Sequence, residues 1–463
     1  MKKTIFGIFM ALGFLAFKPI WAETYVSGTI TSNTTWALAN SPYVATDTVI
    51  VVEGVILTVE PGVTVRFATN TSLICYGTLR AVGNPDGTIT FTSDQATHTA
   101  GYWNGIVFSG TNSSNSILTH CTIMYAGRSG VGISFYNTSP RLSNCIISEI
   151  GRLGHNYGII CSNSSPILTN NVISEIKVYE WYTAYGIYII NSSFPILIGN
   201  KVSGIRGDYL NSRSRFGIYI SNSVVTITGG TVTDINGGYA RAVYGIYVYQ
   251  STVNITQNNF VYINGIHKSP AYGIYLDQST ATISYNIISN IVGGITMGIN
   301  FAENGYGIFS SSSIARIDYN DISSIVGGYG SGGYGGNGYG IMINNDKGTL
   351  ILKNNIFNVS GGGSTMGVFG VGYGIYVLSG SNPGIHYNNI LNNKNGNGTK
   401  GFGVYCDGTA GTISATFNWW GHNSGPYHLV TNSSGQGDKI SDYIDYIPWL
   451  TVAYAPSHIT VNC

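Results

Sequence analysis

Apolar and polar residues alternate with a period of two along most of this chain, in short runs closed by Asn-Ser, Gly or Pro-Gly turns. In YGIYIINSSFPILIGNKVSGI, residues 185–205, Ile187 and Ile189 point one way and Tyr188 the other, which is strand behaviour. No stretch sustains a 3.6-residue stripe, and the abundance of β-branched residues and Tyr favours strand further. The same order of aromatic-Gly-Ile, turn, apolar run, Asn and closing apolar pair recurs along the chain. Its glycine falls at Gly105, Gly132, Gly158, Gly186, Gly217, Gly245, Gly273, Gly307, Gly340, Gly374 and Gly403, about 26 to 34 residues apart. That spacing lies inside the window of solenoids and propellers.

If each repeat is one turn of a coil, its strands pair in parallel with those of the next turn, about 4.8 Å away, and like residues stack. Three columns meet this requirement. One is apolar and inward: Ile147, Ile173, Val202, Val232, Phe260, Ile288, Ile322, Phe357 and Ile390. A second follows the motif glycine, from Ile133 to Val404. The third is a turn column of Asn171, Asn200, Gly230, Asn258, Asn286, Asn320, Asn355, Asn388 and Asn418. Asn and Gly share tolerance of left-handed backbone angles, and stacked Asn amides can bond one another along the axis.

These features resemble the right-handed parallel β-helix repeat family, of the pectate-lyase-like superfamily and in particular its bacterial secreted or surface type. The resemblance implies an all-β, single-stranded right-handed parallel β-helix solenoid of about fourteen rungs with N- and C-terminal caps, roughly 65–70 Å long. Propeller blades need antiparallel hairpins, which the pattern does not offer. The expected divisions are a signal peptide at 1–22, an N-terminal cap at 23–48, the helix at 49–418, and a C-terminal cap and tail at 419–463. Trp419, Trp420 and Trp449 are expected to cover the last rung, since an open coil end exposes unpaired peptide groups. The connectors lengthen toward the end (VGGITMGINFAENG, VGGYGSGGYGGNG). Their position suits binding loops, but their glycine content favours flexible spacers.

Composition narrows the function. The opening MKKTIFGIFMALGFLAFKPIWAE has the lysines, apolar run and small Ala22 of a secretory signal. Lys18 and Pro19 break it as a membrane anchor. The expectation is a secreted, cell-surface or periplasmic protein with no membrane insertion after signal cleavage. Without that leader the chain carries 18 Lys and Arg against 20 acids, no basic face for nucleic acid. Charged residues are only 9%, so solubility rests on Asn, Ser, Thr and Tyr hydroxyls.

Enzymes on this fold cut polysaccharides with clustered acids, or with Ca²⁺ and a basic residue. Glu149 and Glu175, on adjacent rungs at one offset, are the weak catalytic candidates, close enough for an acid–nucleophile pair. Arg152 and Lys177 nearby offer simple neutralisation instead. Asp277 and Asp407 share a column but lie about 19 Å apart, too far for that chemistry. Asp318 and Lys353 read as a surface ion pair. No metal-ligand spacing and no cofactor motif is present. Cys121 and Cys145 occupy the turn column on consecutive rungs, at a separation suited to a disulfide, or to a reduced stacked pair. Cys75, Cys161 and Cys406 read as small buried residues.

The unusual feature faces outward. Two residues after the motif glycine stand Tyr188, Tyr219, Tyr247, Tyr275, Phe309, Met342, Tyr376 and Tyr405, with Tyr249 beside them. Such a strip stabilises the sheet, or binds sugar rings or a neighbouring subunit. A second aromatic column, Tyr157, Tyr185, Phe216, Tyr244, Tyr272, Tyr306, Tyr339, Tyr373 and Phe402, precedes each glycine, and parity places it inward. The favoured reading is a structural or adhesive surface protein binding polysaccharide, cell-surface glycan or further copies of itself. The alternative is a polysaccharide lyase or glycoside hydrolase.

Overall fold

Each repeat forms three strands separated by three corners, and each strand lies in register on its counterpart one turn below. The computed structural model describes residues 23–151, 154–178, 181–192, 194–207, 213–378, 380–408 and 411–455. Every pairing between the named strands is parallel, as in Ala184–Ile190 on Arg215–Ser221, where Ile187 meets Ile218 and Tyr188 meets Tyr219. The first face holds the aromatic-Gly-Ile strands. The second holds short strands such as Val224–Thr228 and Thr252–Thr256, and the third holds strands such as Val172–Val178 and Lys201–Gly207. Inward residues of all three faces form one continuous core with Ile133, Ile159, Ile187, Ile246 and Ile274 wholly buried.

Coiling begins earlier than expected. Thr24–Ile30 and Thr34–Trp36, inside the stretch read as a cap, already pair in parallel with Tyr43–Val51 and Ile56–Val59. At the other end Trp420 is fully buried in the core and Trp449 packs against it. Residues 1–22 and Cys463 lie outside the described residues.

The corners are set by left-handed residues. The ladder of Asn171, Asn200, Asn258, Asn286, Asn320, Asn388 and Asn418 is buried, and the amide Nδ2 of each donates along the axis, as from Asn286 to Asn320 Oδ1 at 2.9 Å. The positive φ belongs to the residue before: Asn170 (52°), Tyr285 (57°), Tyr319 (56°), Tyr387 (60°). A non-glycine residue there costs roughly 1–2 kcal/mol. The inward amide offsets that cost by satisfying carbonyls of the corner. Asn354, not Asn355, holds the ladder at its rung, accepting from Asn320 Nδ2 at 3.0 Å. Ile356, not Phe357, therefore enters the core at this rung.

The glycine-rich connectors are not spacers. They stack on one another as an ordered layer: Gly328 N–H donates to Glu303 O at 2.7 Å, Gly362 to Gly336 O at 2.7 Å, and Gly370 to Gly362 O at 2.9 Å. A Cβ on Gly362 would sit 1.8 Å from Gly328 O, and one on Gly370 1.7 Å from Gly336 O. Glycine is required here by close approach of backbones, not by mobility.

Candidate functional site

The aromatic columns share one face. Gly186 and Ile187 are both buried, and the register skips the glycine, pairing Tyr185 with Phe216 and Ile187 with Ile218. One step of alternation is lost there, so Tyr185 and Tyr188 emerge on the same side. Glycine permits it: a Cβ on Gly186 would lie 2.3 Å from Val202 Cγ1 and 2.6 Å from Gly217 O. This corrects the inward placement of the Tyr185 column, which rested on unbroken parity.

The result is a double wall of rings. From Tyr157 to Phe402 the first column stacks nearly parallel, with centroids 4.8 Å apart for Tyr157–Tyr185 and 4.6 Å for Tyr272–Tyr306. In the second column Tyr188–Tyr219, Tyr219–Tyr247 and Tyr247–Tyr275 stack at 5.0, 5.4 and 5.0 Å, and Tyr376–Tyr405 at 5.0 Å. The two columns meet edge to face, as Tyr244 and Tyr247 do at 5.1 Å and 78°. These contacts contribute about 0.5–1.5 kcal/mol per pair, and they occupy ring faces. The predicted residues Tyr188, Tyr219, Tyr247, Tyr275, Tyr376 and Tyr405 are half-buried and show ring edges and hydroxyls to solvent. Burial raises the phenols of Tyr188, Tyr219, Tyr247 and Tyr275, that of Tyr376 to about 12 and, in the first column, that of Tyr157 to about 12, so these stay neutral donors at any physiological pH. Tyr249, also half-buried, stands one register step beyond, paired with Asp277.

Two grooves flank the wall. One, of about 610 Å³, follows the corner between the first and second faces and is lined by the amides of Asn191, Asn222, Gln250 and Gln278. The amide of Gln250 donates to that of Gln278 at 3.1 Å. The other, of about 660 Å³, lies between the connectors and the wall, over Tyr185 and Phe216. Trp181 and Tyr239 stand exposed on its rim with Arg213, Arg241 and Lys268. Sequence reasoning missed this cleft, whose residues belong to four successive connectors of unlike length and composition.

Glu149 and Glu175 do lie on adjacent rungs, both at left-handed positions (φ 53°). Lys177 stands between them, 3.1 Å from Glu149 and 3.4 Å from Glu175, and Arg206 reaches Glu175 at 3.7 Å and Asp234 at 2.5 Å. Burial alone would depress Lys177, but the two carboxylates outweigh it and hold its ammonium above the usual range. The cluster is an ion ladder in which two cations alternate with three carboxylates. Arg152 lies outside the described residues. Asp318 does not meet Lys353: it accepts from Arg316 Nε at 2.7 Å, while Lys353 donates to the Tyr319 hydroxyl at 2.8 Å. Among the described residues no group of acids, His or Cys is arranged to hold a metal ion.

Cys121 and Cys145 take the first places of the Asn column, Cys145 N–H donating to Asn171 Oδ1 at 3.0 Å. Both are buried free thiols in this structure, as are Cys75, Cys161 and Cys406. The contact between the two sulfurs raises Cys121 and lowers Cys145.

The family model described as "Right handed beta helix region" matches residues 76–215 and 157–330, together more than half of the chain. A curated relative, Protein bark beetle of Drosophila melanogaster, is 41% identical over 70 residues, which is 15% of this chain and 2% of that protein. Among solved structures, the A-module of the mannuronan C-5 epimerase AlgE6 of Azotobacter vinelandii is 11% identical and covers 78% of this chain and 90% of its own, with a TM-score of 0.34. PfbA, a surface adhesin of Streptococcus pneumoniae, is 11% identical over 84% of this chain and 83% of its own, at 0.21. No role transfers across overlaps so distant. No helix among the described residues is long and apolar enough to cross a membrane.

Proposed function

The chain belongs to the right-handed β-helix family, and from that premise we propose an exported or surface-displayed scaffold that binds glycan chains across its aromatic face. The reading of export rests on the leader-like residues 1–22. The observation that carries the glycan reading is the double ring wall with a cleft beside it. The wall is uncharged and rigid, edged by phenol hydroxyls and by the amides of the neighbouring corner. Ring faces, which sugars use for stacking, are consumed within the wall but open at Trp181, against which no ring stacks among the described residues. A chain lying along the axis would meet Trp181 and Tyr239 at the rim and hydroxyls of Tyr188, Tyr219, Tyr247 and Tyr275 along the wall. A stiff coil pre-organises these groups, which limits the ordering cost of binding.

The test is retention on a panel of immobilised polysaccharides, with product release measured alongside. Trp181→Ala, at an exposed connector position, is expected to lose retention with unchanged circular dichroism and melting. The Tyr219→Phe, Tyr247→Phe, Tyr275→Phe combination removes hydroxyls while preserving stacking, and is expected to weaken retention several-fold. Full retention by both variants would refute the reading. Product release abolished by Glu175→Gln would replace it with a glycosidase or lyase.

A further inference from the structure

The connector cleft gathers three cations on one lining. Arg213, Arg241 and Lys268 come from three successive connectors, one cation per rung, and all three are exposed. Among the described residues none of them is in an ion pair, and no carboxylate lines the cleft. On the outer faces other cations meet acids, Arg66 with Glu23 and Asp94, Lys177 with Glu149 and Glu175, Arg206 with Asp234, and Arg316 with Asp318, whereas in the cleft three cations stand together. On a chain with only 9% charged residues, three cations at one cleft, with no acidic partner among the described residues, concentrate positive potential beside its aromatic side chains.

The backbone beneath them is fixed. Arg215 is fully buried and its guanidinium donates to Tyr182 O at 3.0 Å, Arg213 O at 2.8 Å and Ser214 O at 3.3 Å, joining two connectors. Arg215 N–H donates to Ala242 O at 3.0 Å, tying in the connector of Arg241. Ser269, buried beside Lys268, bonds through its hydroxyl to His267 O at 2.8 Å and to Ala240 O. The cations are thereby held at successive rungs, about 4.8 Å apart along the axis.

From this geometry we infer that the cleft selects an anionic polysaccharide, a linear sugar chain bearing carboxylate or sulfate groups at regular intervals. The inference rests on the glycan reading above and adds its substrate class. Trp181 supplies an unstacked ring for the sugar and Tyr239, stacked on His267 at 4.8 Å, its remaining face and edge, while the guanidinium forks of Arg213 and Arg241 suit carboxylate or sulfate oxygens. Thr183 and Ser214 contribute hydroxyl groups to the same lining. A single-stranded nucleic acid would also use rings and cations, but it calls for a positive track along its backbone. Beyond these three residues the outer first face is tyrosine, and the next face along the groove is amide and hydroxyl.

The experiment uses the full chain and measures affinity for polygalacturonate, dextran sulfate, unmodified dextran and an oligo-dT strand at low and at elevated salt. Wild type is expected to bind at least one anionic polysaccharide about tenfold or more tighter than dextran, with the preference falling as salt rises. Whether polygalacturonate or dextran sulfate leads identifies the anionic group. The Arg213→Ala, Arg241→Ala, Lys268→Ala combination should erase the preference, and Lys268→Arg alone should keep it. Dextran bound as tightly as both anionic chains, or a charge-stripped variant unchanged, overturns the inference while leaving the glycan reading in place. Tighter binding of the oligonucleotide than of any polysaccharide overturns it as well. Retention of no polysaccharide removes both readings together.

Discussion

Replacing Asn286 with alanine tests the ladder that spaces the coil. Its side chain is wholly buried. Its Nδ2 donates to Ile255 O at 2.9 Å, to Ser284 O at 3.0 Å and to Asn320 Oδ1 at 2.9 Å. Its Oδ1 accepts from Asn258 N–H at 2.9 Å and from Asn258 Nδ2 at 3.1 Å. Alanine strips the Asn258 N–H of its acceptor in a dry corner and removes a donor from two carbonyls. One orphaned buried group costs about 1–3 kcal/mol, and each further lost bond about 0.5–1.5 kcal/mol. The expected loss is about 3–5 kcal/mol, above the ordinary range for single substitutions. Asn286→Asp sharpens the test, because its second oxygen would face two carbonyls and Asn320 Oδ1. It must be protonated to fit, so its folded pKa rises and its stability is retained at acid pH and lost as pH increases. Urea unfolding followed by circular dichroism, with hydrogen exchange at the Asn258 amide, reads both effects. Asn254→Ala, on an exposed outward position of the second face, is the control and should stay within about 0.5 kcal/mol. Asn286→Ala matching that control, or Asn286→Asp showing no dependence on pH, would refute the ladder as a stabilising device.

Asp438 is buried in the C-terminal closure and accepts from Asn393 N–H at 3.1 Å and Asn393 Nδ2 at 2.7 Å; burial raises its pKa to about 7. A folded pKa above the unfolded one favours folding below about pH 4, and that benefit is lost as pH rises through about 7. Asp438→Asn keeps the acceptor without the charge and should stabilise the protein at pH 8 by up to about 4 kcal/mol, with a flatter melting profile from pH 4 to 8. An unchanged profile would show that another group carries the dependence. Gly362→Ala should cost about 2–4 kcal/mol and expose the connector layer to hydrogen exchange, since the added carbon meets Gly328 O; a neutral outcome would return the connectors to the status of spacers. Iodoacetamide should leave Cys121 and Cys145 unmodified in the native protein and label both in urea. A pair that resists labelling in urea until reduced would instead be a disulfide.

The coil itself was legible in the residues, because a parallel solenoid turns sequence period into physical stacking. Ile187 and Ile218 recur in sequence and therefore touch, and the column of Asn171, Asn200 and Asn286 reads as a ladder for the same reason. Cys145 could be placed at the foot of that ladder by counting alone. Counting fails where the backbone departs from uniform pleating. The buried Gly186 removes one step of alternation and brings Tyr185 out beside Tyr188. At Asn354 and Asn355 two adjacent asparagines offer themselves to the count, and the pairing puts Asn354 in the ladder. The glycine-rich connectors look unstructured one at a time and become ordered only when their backbones lie against each other, closer than any Cβ allows. The cleft of Arg213, Arg241 and Lys268 has the same origin. Arg213 and Arg241 each stand four residues before their motif glycine and Lys268 five before its own, but the connectors differ in length, and the three share an edge because the frame returns each connector to one side of the coil. Repetition along the chain determined which residues stack. The path of the backbone between repeats decided which faces those stacks present to a partner.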